Sequence, residues 1–439
     1  MERNIIEDLK SWKDNPRRKP LILTGVRQCG KTYTLKEFGG KHFKDICYIN
    51  FEESSQLCAV FDYDFDVKRI IKEIEMIKKQ KIFAGETLLI FDEIQECPRA
   101  ITSLKYFCEN MKELHLVCAG SLLGIALKQK NISFPVGKVN RLQMYPMSFK
   151  EFLAALGHKE YIELFADWPT DRSIPDLYAI PLKKMLKEYY YVGGMPEAVK
   201  TFAESGDLNE VTEIQKEILS DYADDFSKHA PISEIEKIRM IWDSIPKQLA
   251  KENNKFIFSH VKEGKRSHEL EAALQWLKYA GLIYQVEMIK NAESPLSSNA
   301  DATYFKVYMS DIGLLGRQLG IDYEDLMKIE EYMGTFKGAI VENFVLNELK
   351  VLKKEPYFWR SGNTAEVDFI FEDKGYIYPV EVKAATNTQA KSYTNFCKKY
   401  KVTKGYKLSL KNIAVNKCEG VNTLSLPLYL IWKIDQSNI

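Results

Sequence analysis

The stretch PLILTGVRQCGKTYTLKEF, residues 20–38, decides the fold of the N-terminal part of this chain. It begins with an apolar run that predicts a buried strand, continues through a glycine-bounded turn, and ends with Tyr33, Leu35 and Phe38 at helical spacing. Strand, loop and helix in this order are the context of a phosphate-binding loop in a parallel sheet. The sequence therefore predicts an α/β domain with an anion site at a helix N-terminus.

The turn carries the pattern G-x-x-x-x-G-K-[ST], formed by Gly25, Gly30, Lys31 and Thr32. Glycines let backbone N–H groups curl around phosphates, the lysine reaches the β- and γ-phosphates, and the threonine hydroxyl ligates magnesium. We therefore predict that the chain binds ATP with Mg²⁺, with Thr32 as a metal ligand and Lys31 also taking part in catalysis. The predicted nucleotide contacts are Gly25, Val26, Arg27, Gln28, Cys29, Gly30, Lys31, Thr32 and Tyr33.

A second apolar strand, TLLIFDE at 87–93, ends in two carboxylates. Asp92 is expected to hold the magnesium with its water shell, and Glu93 to polarise the attacking water. A third run, LHLVCAGS at 114–121, ends at Ser121, which is either a γ-phosphate sensor or an ordinary turn residue. Ligands bind at the carboxyl ends of such strands, so the sequence predicts hydrolysis as well as binding.

Composition sets limits on the other function classes. The 439 residues exceed one hydrophobic core, so two or three domains are expected. The net charge of +1 gives no global field for nucleic acid or membranes, and no apolar run approaches a membrane span, so a cytoplasmic protein without a membrane partner is expected. The eight cysteines show no CxxC pair. Alkylation of Cys29, inside the loop, is expected to block ATP binding.

Several segments together resemble one family, the AAA-type P-loop ATPases of the archaeal-ATPase (STAND-like) group that carry a C-terminal domain of unknown function. The segments are GVRQCGKT, LLIFDEIQECP, AGSLLG, FPVGKVNRLQMYPMSFKEFL, YYVGGMPEAV and VYMSDIGLL. The resemblance implies ATP hydrolysis and self-association, with an arginine finger. Relatives commonly have Gly-Arg where this chain has Gly137-Lys138, so Arg141 is the candidate finger, with a surface ion-pair role as the alternative.

We predict three regions: 1–165 as the ATPase domain, 166–325 as a helical and winged-helix-like region, and 326–439 as an α/β domain. The winged-helix interpretation comes from 256–286, where a basic turn precedes an amphipathic helix and a strand. Its basic residues either touch DNA phosphates or only pack against protein, because glutamates dilute the positive charge. These basic residues are Lys262, Lys265 and Arg266.

Four polar residues of the last region are expected to converge. Strand alternation places Asp368 with Ile370 on one face of AEVDFIF, opposite Val367, Phe369 and Phe371, while Glu381 and Lys383 share a face of PVEVK. Carboxylates and a lysine suit Mg²⁺ or Mn²⁺. The order helix Glu, strand Asp, strand Glu-x-Lys resembles the PD-(D/E)xK nuclease (restriction-endonuclease-like) fold. That resemblance assigns Glu342, Asp368, Glu381 and Lys383 to catalysis, and Asp368 and Glu381 to the metal.

A lysine-rich stretch at 391–411 leaves two interpretations open. Its lysines are suited to DNA phosphates and its tyrosines to base stacking, or the stretch is a solvated face of the domain. Its members are Lys391, Lys398, Lys399, Lys401, Lys404, Lys407, Lys411, Tyr393, Tyr400 and Tyr406.

Two functions compete on these observations. The first is an ATPase coupled to DNA binding or to metal-dependent DNA cleavage by the C-terminal domain. The second is a nucleotide-dependent switch or scaffold that controls partner assembly and whose nuclease-like domain is inactive. Both need the phosphate-binding loop, and they differ at the C-terminal carboxylates.

Overall fold

The computed structural model describes residues 1–121, 123–125, 133–251, 255–262, 266–329, 335–362, 365–383, 391–418 and 421–434. The chain divides into two compact units. One contains Glu2–Tyr145 with Tyr279–Gly281, and the other contains Pro146–Lys278 and Leu282–Ile439, grouped with Met1. We call them the N-terminal unit and the C-terminal unit, and describe each by itself.

The described part of the N-terminal unit is built on a five-stranded sheet in the order β2-β3-β4-β1-β5. All four neighbouring pairs are parallel. Parallel strands bring their carboxyl ends to one edge of the sheet, so the loops that follow β1, β3 and β4 converge there. The strands are β1 (Leu21–Gly25), β2 (Asp45–Asn50), β3 (Thr87–Asp92), β4 (His115–Ala119) and β5 (Asn140–Met144).

Four helices of this unit accompany the strands: α1 (Ile5–Asp14), α2 (Lys31–His42), α3 (Val67–Lys78) and α4 (Pro98–Asn110). The apolar faces of α3 and α4 pack with β3 in one buried cluster, which includes Ile70, Phe91 and Leu104. Every residue of β3 is buried, as the uninterrupted apolar run predicts for a central parallel strand. This packing fixes the strand that carries Asp92.

The C-terminal unit begins with a mainly helical stretch, as the sequence predicts. Its helices before the sheet are α5 (Phe149–Ala155), α6 (Lys159–Ala166), α7 (Asp176–Val192), α8 (Pro196–Ser205), α9 (Leu208–His229), α10 (Ile232–Leu249) and α11 (Ser267–Tyr279). In α11, Leu270, Leu274 and Leu277 are buried, which confirms the amphipathic helix. Later helices are α12 (Ile312–Leu319), α13 (Tyr323–Met327), α14 (Thr335–Val351) and α15 (Lys391–Tyr400).

Eight strands of the described C-terminal unit form one mixed sheet in the order β12-β13-β11-β10-β9-β8-β6-β7. They are β6 (Ile283–Ile289), β7 (Ala300–Met309), β8 (Tyr357–Ser361), β9 (Ala365–Asp373), β10 (Tyr376–Val382), β11 (Lys404–Ser409), β12 (Ala414–Cys418) and β13 (Val421–Pro427). The α/β class is therefore confirmed: a P-loop sheet, a helical region and a C-terminal mixed sheet. The two predicted boundaries between the three regions, at 165/166 and 325/326, stay predictions, and the C-terminal sheet extends across the second.

The predicted strict alternation of side chains between the two faces of β9 is wrong between Val367 and Ile370. The pairing with β8 shifts register between the pairs Tyr357–Ile370 and Trp359–Val367, so β9 contains one extra residue there. Val367 and Ile370 consequently pack in the same hydrophobic cluster instead of on opposite faces. Such a bulge cannot be read from a two-residue period, and bulges often re-aim side chains beside functional sites.

None of the helices among the described residues combines the length and the apolar character that crossing a bilayer requires.

Candidate functional site

The loop between β1 and α2 has the backbone of a phosphate cradle. Gln28 and Gly30 adopt positive φ angles of 62° and 93°, which turns consecutive N–H groups toward one side before α2 begins at Lys31. The Lys31 ammonium donates to the carbonyl oxygens of Gly25 and Val26, at 2.9 Å each. The predicted loop residues thus surround the N-terminus of α2, where an anion is favoured.

Gly25 needs its small size. A Cβ atom at this position would collide with the carbonyl oxygen of Met144 on the neighbouring strand β5. The remaining predicted contacts differ in exposure: Tyr33 is 60% exposed, whereas Val26 is buried.

Thr32 and Asp92 meet directly, because the Thr32 hydroxyl donates to Asp92 Oδ2 at 2.7 Å. Oxygens of these two types are ligands or outer-sphere partners that Mg²⁺ accepts. Their convergence at the carboxyl edge of β1 and β3 fits a magnesium ion beside the phosphate loop. Thr32 and Asp92 are sixty residues apart in the chain, so the sequence alone could not predict that their side chains are in contact. The parallel sheet brings them together.

Tyr48 on β2 is a site residue that sequence reasoning missed. Its hydroxyl donates to Asp92 Oδ2 at 2.8 Å. Burial, followed by the hydrogen bond to Asp92, raises the Tyr48 pKa, so the hydroxyl stays protonated as a donor. The alternation in DICYIN could have predicted its face, but only the order of strands shows that β2 adjoins β3.

Glu93 follows β3 in a left-handed backbone conformation, with φ 46° and ψ 46°. Its N–H donates to Asp92 Oδ1 at 3.1 Å, and its carboxylate Oε2 accepts from Gln95 Nε2 at 2.6 Å. A bulky residue in this conformation is uncommon and is found most often where function requires it. Glu93 is only partly buried, so its second oxygen has access to a water molecule.

Ser121 lies two residues beyond β4 and is 8% exposed. Since β4 pairs with both β1 and β3, this serine follows the strand that lies between the phosphate loop and the Asp92-Glu93 pair. The order of strands therefore places Ser121 at the carboxyl edge of the sheet, as the sequence predicts. The sensor role itself stays a prediction.

Cys29 is fully buried, with Sγ 4.0 Å from the Met144 carbonyl oxygen. Its own carbonyl oxygen accepts from Arg3 Nη1 at 2.8 Å, and Arg3 Nη2 donates to Tyr145 O at 2.6 Å. Because the thiol is buried, we expect Cys29 to resist alkylation in the folded protein, so the predicted block of ATP binding by alkylation stays untested. Arg3 was not predicted as a site residue, and its two hydrogen bonds connect the phosphate loop to the end of β5.

Arg141 lies on β5 opposite Ile22, near the start of β1 and away from the phosphate loop at its end. Its guanidinium stacks on the Phe134 ring at 4.4 Å. Lys138, which stands where relatives commonly have Arg, pairs with Glu109 at 2.8 Å. Neither side chain therefore contacts the phosphate loop of its own unit, and an arginine finger from a second copy stays a prediction.

A second group of charged residues converges in the C-terminal unit. Lys383 Nζ pairs with Glu381 Oε1 at 2.6 Å, and Asp368 Oδ2 accepts from the Val382 N–H at 2.7 Å. Burial, followed by the neighbouring Glu381 charge, raises the pKa of Asp368 well above its usual range. Burial also raises the pKa of Glu381, although Lys383 opposes this. The pairing of β9 with β10 thus brings three of the four predicted residues together.

The fourth, Glu342 on α14, joins them through β7. Tyr308 donates to Glu342 Oε2 at 3.0 Å, and Lys306 Nζ lies 3.5 Å from the same oxygen. Lys306 also pairs with Glu366 at 2.6 Å while only 2% of its side chain is exposed. Burial alone lowers the Lys306 pKa, but Glu342 and the other acidic neighbours outweigh it and hold the pKa well above its usual value. We call this group the carboxylate cluster: Lys306, Glu342, Glu366, Asp368, Glu381 and Lys383.

Sequence reasoning missed Lys306, Tyr308 and Glu366. The signal was present in the two-residue period, since Lys306 and Tyr308 alternate along FKVYM and Glu366 precedes Asp368 by two. Nothing in the sequence showed that β7 belongs to the same sheet as β9.

We next compare the carboxylate cluster with the ligand set that a divalent ion needs. Across the part of the chain that the structure describes, no three His, Cys, Asp or Glu side chains are grouped so that they could hold a metal ion. Glu381 Oε2 is nevertheless buried without a hydrogen-bond partner among those residues. Mg²⁺ commonly takes one or two carboxylates and completes its shell with water and phosphate oxygens, so Asp368 and Glu381 fit such an ion.

The lysine-rich stretch separates into two kinds of residue. Tyr393 and Tyr406 are each 2% exposed and hydrogen-bond to Thr423 and to the Ile434 carbonyl oxygen, respectively. The base-stacking interpretation is therefore wrong for these two, because their rings pack in the core. Four lysines are exposed on α15 and just after it: Lys391, Lys398, Lys399 and Lys401.

The basic turn before α11 is only partly described, and Lys265 lies outside the described residues. Lys262 lies 3.9 Å from Glu236, and the Arg266 N–H donates to Glu269 at 2.9 Å. These glutamates reduce the local positive charge, as the sequence indicated. DNA contact and a winged helix at this point stay predictions.

Comparison with protein families gives three matches along the chain. Residues 17–153 match the family described as AAA domain. Residues 183–325 match a domain of unknown function, DUF8612, and residues 337–429 match another, DUF4143. The first match contains the whole phosphate loop with Asp92, Glu93 and Ser121, and it supports ATP binding there. The third contains Glu342, Asp368, Glu381 and Lys383, with no function attached.

Two curated relatives match stretches of very different length. An uncharacterized protein of Methanocaldococcus jannaschii is 26% identical over 361 residues, which cover 80% of this chain and 71% of that protein. An uncharacterized protein of Mycobacterium tuberculosis is 41% identical over 80 residues, which cover 18% of this chain and 17% of that protein.

Solved structures of low identity are also similar. A Walker-type ATPase of Pyrococcus abyssi matches with a TM-score of 0.44 and 14% identity, over 72% of this chain and 94% of that one. The ORC2 protein of Aeropyrum pernix, solved in complexes with ADPNP and ADP, matches with a TM-score of 0.39 and 12% identity, over 77% of this chain and 93% of that one.

Proposed function

We propose that this chain, which carries an AAA-type P-loop domain over residues 17–153, binds ATP with Mg²⁺ and hydrolyses it. The observation that carries the proposal is the contact of Thr32 with Asp92 at 2.7 Å, directly beside Glu93. A binding loop alone explains affinity for phosphate. A carboxylate held next to the magnesium-binding pair, with one oxygen open to water, explains turnover.

Each side chain has a defined task in this proposal. The loop N–H groups and Lys31 bind the phosphates and neutralise their charge. Thr32 and Asp92 would hold Mg²⁺, which would supply further positive charge for the phosphates. Glu93 orients the attacking water and accepts its proton. Ser121 donates to the γ-phosphate from the adjoining strand.

The test separates binding from hydrolysis. Lys31→Ala should abolish both, since the phosphate charge loses its partner. Glu93→Gln should retain nucleotide affinity while turnover falls by about 10²- to 10⁴-fold, because the amide cannot accept a proton. Glu96→Gln, an exposed carboxylate three residues on, is the matched control and should match wild type. Measurements of ATP turnover and of fluorescent nucleotide binding decide the point; normal turnover in Glu93→Gln would refute the assignment.

For the C-terminal unit we propose metal-dependent cleavage of DNA at the carboxylate cluster. The support is the convergence of Asp368, Glu381 and Lys383, with an unpartnered oxygen on Glu381. Asp368 and Glu381 would hold Mg²⁺ or Mn²⁺, which supplies charge stabilisation for a phosphodiester. Lys383 would bind the phosphate or orient water, and Glu342 would position the cluster from α14.

One observation favours the alternative, a nucleotide-dependent switch with an inactive cluster. The buried Lys306 ammonium already neutralises Glu342 and Glu366, which is the task of a cation in this position. In that case ATP binding and hydrolysis would control partner assembly, and the cluster would serve only to stabilise the sheet.

Asp368→Asn distinguishes the two functions. The amide keeps an acceptor for the Val382 N–H, so folding should be preserved, but the charge for a metal is lost. Cleavage of single-stranded, duplex and branched DNA with Mn²⁺ should disappear while ATP turnover stays normal. Glu324→Gln, an exposed carboxylate of the same unit, is the control and should cleave like wild type. Absence of cleavage in wild type on all three substrates would favour the switch.

A further inference from the structure

Gln95 is a buried polar residue beside the hydrolytic carboxylate. It lies in the short 3-10 turn Ile94–Glu96 that follows β3, two residues after Glu93. Its side chain is 6% exposed, whereas that of the next residue, Glu96, faces solvent. A glutamine in a surface turn normally points outward, since burial removes its four hydrogen-bonding positions from water. The inward orientation of this amide is therefore unusual, and its contacts inside the unit need to be examined.

Its amide nitrogen is committed to Glu93. Gln95 Nε2 donates to Glu93 Oε2 at 2.6 Å, while the Glu93 N–H donates to Asp92 Oδ1 at 3.1 Å. Glu93 is thus fixed at both ends, at its backbone by Asp92 and at its carboxylate by Gln95. A charge-assisted hydrogen bond of this length restricts the rotation of the carboxylate and leaves the other oxygen for a water molecule.

Its amide oxygen faces the next strand. Gln95 Oε1 is buried, has no hydrogen-bond partner among the described residues, and lies against Gly120, where any Cβ atom would collide with it. Gly120 immediately precedes Ser121, which follows β4. Buried acceptors without a partner are rare in folded proteins because they cost stability. This one lies between Glu93, the proposed base for the attacking water, and Gly120, the residue before the proposed γ-phosphate sensor Ser121.

We propose that Gln95 is a positioning residue for ATP hydrolysis, which links the Glu93 carboxylate to the Gly120-Ser121 backbone. This inference depends on the hydrolysis proposed above. Gln95 holds Glu93 where its free oxygen orients the attacking water. When Ser121 moves on binding the γ-phosphate, Gly120 moves with it. The contact of Gly120 with Gln95 then transmits this movement to the Glu93 carboxylate. Gln95 does not touch the nucleotide, so it contributes to turnover and not to affinity.

Two substitutions test the hydrogen bond. Gln95→Leu keeps the approximate volume and removes both polar atoms, while Gln95→Glu keeps an oxygen acceptor and replaces the donor with a charge that repels Glu93. In both, kcat should fall by about 10- to 100-fold, because a misplaced catalytic group costs this much. The KM for ATP and the affinity for ADP should stay within about twofold of wild type, and the affinity for ADP with aluminium fluoride should fall with kcat. Glu96→Gln is again the matched control.

Gly120→Ala tests the link to β4 while Gln95 keeps its own side chain. The added methyl group meets only the end of a flexible side chain, so the unit should fold while the amide is displaced. Its kcat should fall as in Gln95→Leu, with unchanged nucleotide affinity.

The outcomes separate the two proposals. A wild-type protein that turns over ATP, together with a Gln95→Leu variant of normal kcat, would overturn the positioning role alone. A parallel loss of kcat and ADP affinity would also overturn it, because that pattern indicates a structural role. A wild-type protein that binds ATP, loses that binding in Lys31→Ala and never hydrolyses it would remove the proposed function and this inference together.

Discussion

The reactivity of the Cys29 thiol depends more on its burial than on its position in the phosphate-loop motif. A cysteine in a phosphate loop looks accessible in the sequence, because loops of this kind are open to their ligand. Here the side chain points away from the cradle and packs under the Met144 carbonyl oxygen, fully buried. Reactivity of a thiol requires access as well as ionisation, so this cysteine should be inert in the folded chain.

A labelling experiment checks this. Iodoacetamide should modify the half-buried Cys108 before Cys29 in the native protein, and should modify both only after denaturation. Mass spectrometry of the two peptides at increasing times gives the relative rates. Equal rates in the native protein would show that the loop opens far more readily than its packing indicates.

At the scale of elements, a carboxyl group on helix α14 caps the N-terminus of helix α5 in the C-terminal unit. The first N–H of α5, at Phe149, donates to Glu348 Oε1 of α14 at 2.7 Å, next to a capping box formed by Ser148 and Glu151. Glu348 is 2% exposed, and burial raises its pKa to about 8 although the hydrogen bond from Phe149 opposes this. The carboxyl group therefore caps the helix mostly in its protonated form at neutral pH.

This shift makes the stability of the unit depend on pH. Below about pH 4.5 the group is protonated in both states, and between that pH and about 8 the unfolded chain loses a proton that the folded chain keeps. The folded state binds more protons in this window, so the Glu348 contribution to stability falls as pH rises.

Glu348→Gln should remove this dependence, because its amide oxygen still accepts from Phe149 and never ionises. We compare the free energy of unfolding of the variant with that of wild type at each pH. This difference should shift in favour of the variant by on the order of 1–3 kcal/mol between pH 5.5 and pH 8.5. Urea unfolding at the two pH values measures the difference. An equal effect of the substitution at both values would show that Glu348 has an ordinary pKa.

At the scale of the whole molecule, the charge distribution matters more than the net charge. Acidic and basic residues balance to +1, yet four exposed lysines gather on and just after α15. A balanced protein can still bind a polyanion through such a patch, since each phosphate contact releases counterions locally. Tyr393 and Tyr406 are packed inside, and Tyr400 is partly exposed, so contact at this patch is made mainly by the lysines and should depend little on base sequence.

The salt dependence of DNA binding tests this patch. If the patch binds DNA, affinity should fall steeply with salt, and the slope of log K against log salt should decrease by about 1 for each contacting lysine removed in Lys398→Ala and Lys399→Ala. Lys68→Ala, an exposed lysine of the N-terminal unit, is the control and should leave the slope unchanged. A slope identical in all variants would identify the lysines as a solvated face.

Sequence by itself determined the local pieces: the strand, loop and helix of residues 20–38, the buried strand that ends at Asp92, and the pairing of Glu381 with Lys383. These follow from short-range rules, because glycine placement and the periods of helix and strand act within a few residues. Only the tertiary structure decided that Tyr48 and Thr32 both reach Asp92, that Gln95 holds Glu93, that Cys29 is buried, and that Lys306 on β7 joins the carboxylate cluster. Those facts depend on strand order, register and packing between segments distant in the chain, which no local pattern encodes.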